Sequence, residues 1–211
     1  MKFSNEIWAV IPARCGSKSL KNKNIKNFLG KPLLAHSIIS AKKNNLINKV
    51  IFSSDSKKYI EIAKKYKCEY DNKRSSKNSR DHSTDYDLFK EIVTFFINKK
   101  VNLPKFLVHF RPTCPIRKNV TITKAIRIFK KKHKSYSSLK SVSINSHNSL
   151  KDFFIRNNQL FSINKKINSK IDKVNIPRDN LEKTFIGNGV VDIYKTKNIL
   201  QKKLLGNKVY P

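Results

Sequence analysis

The segment Ile11-Pro12-Ala13-Arg14-Cys15-Gly16-Ser17-Lys18-Ser19-Leu20 sets an arginine, a glycine and a lysine close together, directly behind an apolar run. Lys23-Asn24 and Gly30-Lys31-Pro32-Leu33 follow. This combination suits a polyanion. A glycine in a turn lets backbone N–H groups approach phosphate oxygens, because no Cβ stands in the way. An arginine can hold two oxygens at once, while lysines act as mobile point charges. Arg14, Lys18 and Lys23 are therefore candidate catalytic cations that offset charge developing on a phosphate chain. The string is neither GxxxxGK[ST] nor GxGxxG, which excludes the P-loop and dinucleotide fingerprints.

A second chemical cluster is Phe110-Arg111-Pro112-Thr113-Cys114-Pro115-Ile116-Arg117. Two prolines fix φ and stiffen the turn, which presents Thr113 and Arg117 at a strand end. Arg111 adds a further cation. Cys114 has no recognisable general base nearby, so nucleophilic catalysis is not expected there. Asp55, in Phe52-Ser53-Ser54-Asp55-Ser56, reads as a helix N-cap rather than a catalytic acid. His82 reads as an ordinary loop histidine. Gly187-Asn188-Gly189 reads on its own as a tight turn.

The elements that must position these residues alternate. Strand patterns cover Glu6 to Ile11, Lys49 to Ser53 and Lys105 to Phe110, with a brief one at Cys68 to Tyr70. Helical spacing covers Pro32 to Lys43, Ser56 to Lys67, Thr84 to Lys99 and Asn119 to Lys132, and Asp71 to Ser83 reads as a polar loop. Repeated β-α-β units predict a three-layer α/β fold around a mostly parallel sheet, with ligands at the carboxyl ends of the strands. Short strands at Leu139 to Ile144, Phe153 to Ile155 and Leu160 to Ile163 predict a small β-rich subdomain at about 136–165, inserted in one domain spanning 1–211.

The first loop resembles the signature of sugar-nucleotide cytidylyltransferases: small-Ala-Arg-x-Gly-Ser-Lys, then Lys-Asn, then Gly-Lys-Pro-Leu. The later blocks resemble that family's CMP-sialic acid synthetase branch, in the same order and spacing. The resemblance implies a Rossmann-like nucleotidyltransferase fold, CTP as one substrate and a nine-carbon acidic sugar as the other. It implies nucleotide contacts from Ser17, Asn24, Arg74, Asp81 and Thr113. It implies sugar contacts from Arg111, Arg117, Arg178, Asn188 and Asp192. Ser75 stands where the family has proline after Arg74, Arg111 where it commonly has glutamine, and Asp192 where some members have tyrosine. Magnesium is the implied cofactor, a homodimer the implied assembly and the cytoplasm the implied compartment. The family's magnesium-binding Asp-Ile-Asp element lies beyond a strand like Val209-Tyr210, so the end of the family domain is expected to be missing. The metal ligands stay open.

Charge and composition bound these expectations. Lys and Arg number 46 against 14 Asp and Glu, a formal net charge of +32. That balance alone suggests nucleic acid. Here the charge is mostly lysine, spread evenly and accompanied by abundant Asn and Ile, which share A/T-rich codons. No nucleic-acid reading motif accompanies it. The surviving inference is attraction of anionic small molecules. Cys15, Cys68 and Cys114 are widely spaced and make neither a disulfide framework nor a zinc site. No secretory signal or run of about 18–20 apolar residues is present. The remaining alternatives are a 3-deoxy-octulosonate-type cytidylyltransferase and a truncated or non-catalytic CTP-binding relative.

Overall fold

The computed structural model describes residues 3–16, 20–68, 70–164 and 174–211. Strand β1 (Ser4–Pro12) is buried from Ile7 to Ile11. Its side chains alternate between two apolar layers: Ile7, Ala9 and Ile11 join one, Trp8 and Val10 the other. A central strand of a parallel sheet has no wet face, so its sequence reads as one continuous apolar run.

The short ribbon β2 (Asn27–Phe28) and β3 (Lys31–Pro32) leads into helix α1 (Leu33–Lys42). Strand β4 (Lys49–Ser54), helix α2 (Lys57–Lys65), strand β5 (Tyr70–Lys73) and helix α3 (Asp85–Asn98) follow. Then come β6 (Pro104–His109), α4 (Asn119–Lys132) and β7 (Ser138–Ile144). After the hairpin of β8 (Phe153–Arg156) and β9 (Gln159–Ser162), the chain finishes with β10 (Phe185–Lys195), α5 (Thr196–Leu200) and β11 (Val209–Tyr210).

Among the described residues, the main sheet has the order β11-β7-β10-β6-β1-β4-β5. β1 is parallel to both β4 and β6, β4 is parallel to β5, and β10 runs antiparallel to β6. α1, α2 and α4 cover one face through Leu34, Ile38, Tyr59, Ile122 and Phe129. α3 and α5 cover the other through Phe89, Ile92, Phe96 and Ile199. This is the expected three-layer α/β architecture.

Local chemistry sets the element ends. Thr84 and Asp87 form a reciprocal capping box at the start of α3. Ser56, not Asp55, caps α2: its side chain accepts from the Tyr59 N–H. The expected loop over 71–83 contains β5 and a single helical turn at Lys77–Ser79. Polar Asp71-Asn72-Lys73 hides an edge strand, because pairing with β4 rather than apolar patterning holds it in place.

The chain divides into two units, residues 1–141 with 189–211, and residues 142–188. In the first unit the Val191 N–H donates to Ser141 Oγ at 2.9 Å, which ties the point where the chain leaves to the point where it returns. In the second unit, Asn157 and Asn158 turn the β8–β9 hairpin with φ of 47° and 59°. Two positive φ values are what a type I′ turn needs. Phe154 stacks on Phe161, while Phe153, Ile155 and Leu160 are exposed.

Candidate functional site

A cavity of about 500 Å³ opens at the carboxyl ends of β1, β5 and β6. Its lining includes Arg14, Lys23, Asn24, Arg74, Asp81, Arg111 and Thr113, so seven of the predicted residues converge.

The loop after β1 is pinned from several sides. The Ser54 hydroxyl donates to the Ala13 carbonyl at 2.6 Å, and the Ala13 N–H donates to the Ser53 carbonyl at 2.9 Å. Asp55 accepts twice from one residue, from the Cys15 N–H at 2.9 Å and the Cys15 thiol at 3.3 Å. Burial and the Asp55 carboxylate push the thiol pKa up, so the sulfur stays protonated and donates. Asp55 is thus a latch for this loop rather than a helix cap. Asn24 is buried and donates to the Arg14 carbonyl at 3.0 Å, which makes it a brace as well as a lining residue.

The cations differ in how they are held. Arg14 pairs with Asp81 at 2.9 Å, both about one-third exposed, and exposed pairs of this kind are worth only about 0–1 kcal/mol. A triphosphate can therefore displace Asp81 from Arg14. Arg74 is buried and donates to the Ser53 hydroxyl and carbonyl at 3.4 and 3.3 Å, both neutral acceptors. Burial pulls its pKa down, and the Asp55 and Glu91 carboxylates pull it back up. The guanidinium remains a cation facing the cavity.

Arg111, predicted to face the acidic sugar, is already engaged. It donates to Asp192 at 2.5 Å and Asp85 at 2.6 Å. Burial lowers its pKa, but these two carboxylates outweigh that and raise it above the ordinary value. Asp192 is wholly buried; it also faces Lys140 at 3.5 Å and accepts from the Tyr194 hydroxyl at 3.3 Å. Asp192 is absent from the cavity lining and holds Arg111 from behind. Arg117 is likewise turned to other protein groups. It is absent from the cavity lining and donates to the carbonyls of Arg111 and Val190 at 2.5 and 2.7 Å and to the Ser37 hydroxyl at 2.9 Å. Burial, with Arg111 adding to it, pulls its pKa down to about 10, so it stays charged at neutral pH.

Gly189 lies within β10 beside Arg111 with φ +69°, a backbone state that favours glycine, so the expected turn is a kink in a strand. Asn188 belongs to the second unit and donates to Ser143 there at 3.0 Å. Ser17, Lys18 and the side chain of Arg178 lie outside the described residues.

Sequence reasoning missed Arg80, Asp85 and His109, which also line the cavity. A histidine in the otherwise apolar stretch of β6 was the available signal. Asp85 carried none, since it looked like the first turn of a helix. Among the described residues no three His, Cys, Asp or Glu side chains converge. The cavity carboxylates Asp81 and Asp85 are each held by an arginine. These groups do not fit a resident metal, and no step below runs through one.

Comparisons with known proteins agree with this geometry. The chain spans less than two thirds of the length of the curated relatives it matches. A CMP-N,N'-diacetyllegionaminic acid synthase of Legionella pneumophila is 35% identical over 138 residues, which cover 65% of this chain and 59% of that protein. An N-acylneuraminate cytidylyltransferase of Escherichia coli O18:K1:H7 is 32% identical over 124 residues, 59% of this chain and 28% of that protein. A solved structure of CMP:2-keto-3-deoxy-manno-octonic acid synthetase complexed with CTP aligns with a TM-score of 0.66 at 15% identity, over 93% of this chain and 77% of that one, a likeness of fold. The profile described as cytidylyltransferase matches residues 8–154, which contain every residue lining the cavity. On that match the chain belongs to the cytidylyltransferase family.

Proposed function

We propose that this chain transfers CMP from CTP to the anomeric hydroxyl of a nine-carbon, sialic-acid-like acidic sugar, releasing pyrophosphate. One observation carries the reading: Arg14, Lys23, Arg74 and Arg80 converge on a cavity at the carboxyl ends of parallel strands, within the segment that matches the family. The sugar oxygen attacks the α-phosphorus, the bond to the bridging oxygen breaks, and pyrophosphate takes the electron pair. Such chemistry needs alignment and charge stabilisation rather than a covalent intermediate. Arg14 and Lys23 offset the charge on the leaving pyrophosphate, Arg14 by exchanging Asp81 for phosphate oxygens. Lys18 and Ser17, a few positions after Arg14 in the sequence, are proposed to join it on the resemblance alone. Thr113, Arg178 and Asn188 are proposed substrate contacts on the resemblance alone.

Magnesium enters this proposal as the counter-ion that CTP brings with it. The cytoplasm is the compartment proposed. It suits the free thiols of Cys15, Cys68 and Cys114, and no helix among the described residues is long and apolar enough to cross a membrane. A homodimer is proposed through the exposed apolar face of the β8–β9 hairpin, Phe153, Ile155 and Leu160. Light scattering on wild type and on Ile155→Glu tests it; a monomer in both would end that part.

The test of function is pyrophosphate release from CTP and Mg²⁺ with neuraminate, legionaminate, pseudaminate and 3-deoxy-octulosonate as acceptors. Release with a nine-carbon acid is the expected result. Release with octulosonate alone would move the acceptor to the eight-carbon class. Binding of CTP without release would leave a non-catalytic relative, and no binding of CTP would overturn the reading of the Arg14 loop.

A further inference from the structure

His109 ends β6 and sits across from Asp192 in the antiparallel pairing with β10, on the face where Leu107 and Tyr194 pack. It is 1% exposed and lines the cavity. Neither ring nitrogen has a hydrogen-bond partner among the described residues. Asp85 stands 3.9 Å from Nδ1, beyond hydrogen-bond reach. The ring is oriented by apolar contact alone, with Phe89 edge-on at 5.2 Å and Tyr194 tilted at 6.2 Å. Buried polar atoms are ordinarily satisfied, so an unpaired, buried donor–acceptor pair in a residue that lines a cavity points to a group that enters it.

The surroundings define that group's chemistry. Burial keeps the imidazole neutral, and Arg111, Arg117, Lys140 and Arg74 push the same way. A neutral imidazole offers one donor and one acceptor. Nearby, Arg111 and Lys140 are engaged by Asp85 and Asp192, which leaves neither of these two cations open to an anion at this wall. A hydroxyl or an amide complements a donor–acceptor pair. A carboxylate offers acceptors only and would meet Asp85.

We propose that His109 is a specificity-determining residue that hydrogen-bonds an uncharged hydroxyl or acylamino group of the acceptor sugar. This rests on the reading of the chain as a sugar cytidylyltransferase. It assigns the β6 wall to the neutral part of the acceptor and leaves the sugar carboxylate to other groups.

The experiment compares wild type, His109→Leu and His109→Gln, with folding checked by circular dichroism. In His109→Leu the sugar KM rises by about 10- to 100-fold while the Kd for CTP stays within about twofold. His109→Gln, which keeps a donor and an acceptor, recovers part of the loss. A sugar analogue lacking the matched group loses a similar factor on wild type and nothing further on His109→Leu. An unchanged sugar KM in His109→Leu, or an equal loss of CTP affinity, would overturn the inference while leaving the proposed function intact. A second readout is independent of turnover: the imidazole ¹⁵N resonances of His109 in the CTP-bound protein shift when sugar is added. If wild type releases no pyrophosphate with any acid sugar, the function reading fails, and these resonances still decide the role of His109, a shift sustaining it and silence refuting it.

Discussion

The mouth and the β6 wall of one cavity hold their arginines in opposite ways. At the mouth, Arg14 meets Asp81 with both side chains about one-third exposed. At the wall, Arg111 is fixed between Asp85 and an Asp192 that is wholly buried. An exposed pair is screened and weak, so its cation can change partners. A buried pair is costly to break, because removing one charge strands the other. The same residue type is therefore able to change partners in one place and is a structural member in the other.

The largest test of that contrast is Asp192→Ala. It leaves Arg111 with Asp85 as its remaining carboxylate and deprives Lys140 of a partner, and a loss of about 3–5 kcal/mol in unfolding free energy is expected by urea denaturation. A loss below about 1 kcal/mol would make the wall as loose as the mouth. Next comes Arg14→Ala. Its unfolding free energy should stay within about 0.5 kcal/mol of wild type, while pyrophosphate release slows by about 100-fold, close to 2.7 kcal/mol of barrier. A large stability loss with unchanged turnover would invert the comparison.

The third test uses pH. His109 is held neutral when folded and titrates near 6.5 when unfolded, so below about 6.5 the unfolded chain binds a proton that the folded one refuses. Stability should fall as pH drops, by up to about 1.4 kcal/mol per pH unit from this group, until the depressed folded pKa is reached. His109→Leu should remove that component from the stability–pH curve. The smallest effect belongs to Asp81→Asn. Freeing Arg14 of its competitor should tighten CTP binding by roughly threefold at low salt, with the gain fading as ionic strength rises.

The parts legible in the sequence were those set by local chemistry. Ile7 to Ile11 announced a central strand because both of its faces are buried. The Arg14–Asn24 string announced part of the cavity lining because Arg14, Lys23 and Asn24 lie close together in the sequence. The roles of Arg117 and Asp192 were not legible. The carbonyls that Arg117 binds lie at Arg111 and Val190, and the latter belongs to a strand far along the chain. Asp192 is buried beside Arg111 by the pairing of β10 with β6, which no local pattern announces. Asp55 failed for a nearer reason: the cap fell one residue later, on Ser56, which released Asp55 to hold Cys15. His109 escaped notice because an orphaned nitrogen is a property of surroundings, not of a pattern.

The bond between the Val191 N–H and Ser141 Oγ has a consequence for how this chain can be rebuilt. It lies in the first unit and brackets the whole of residues 142–188. The ends of that excursion are held together whatever lies between them, so its closure entropy is met by the scaffold and grows only slowly with length. A segment of different length or sequence could be spliced between these two anchor points without disturbing the strands that carry the cavity. The join is a ready-made cassette site.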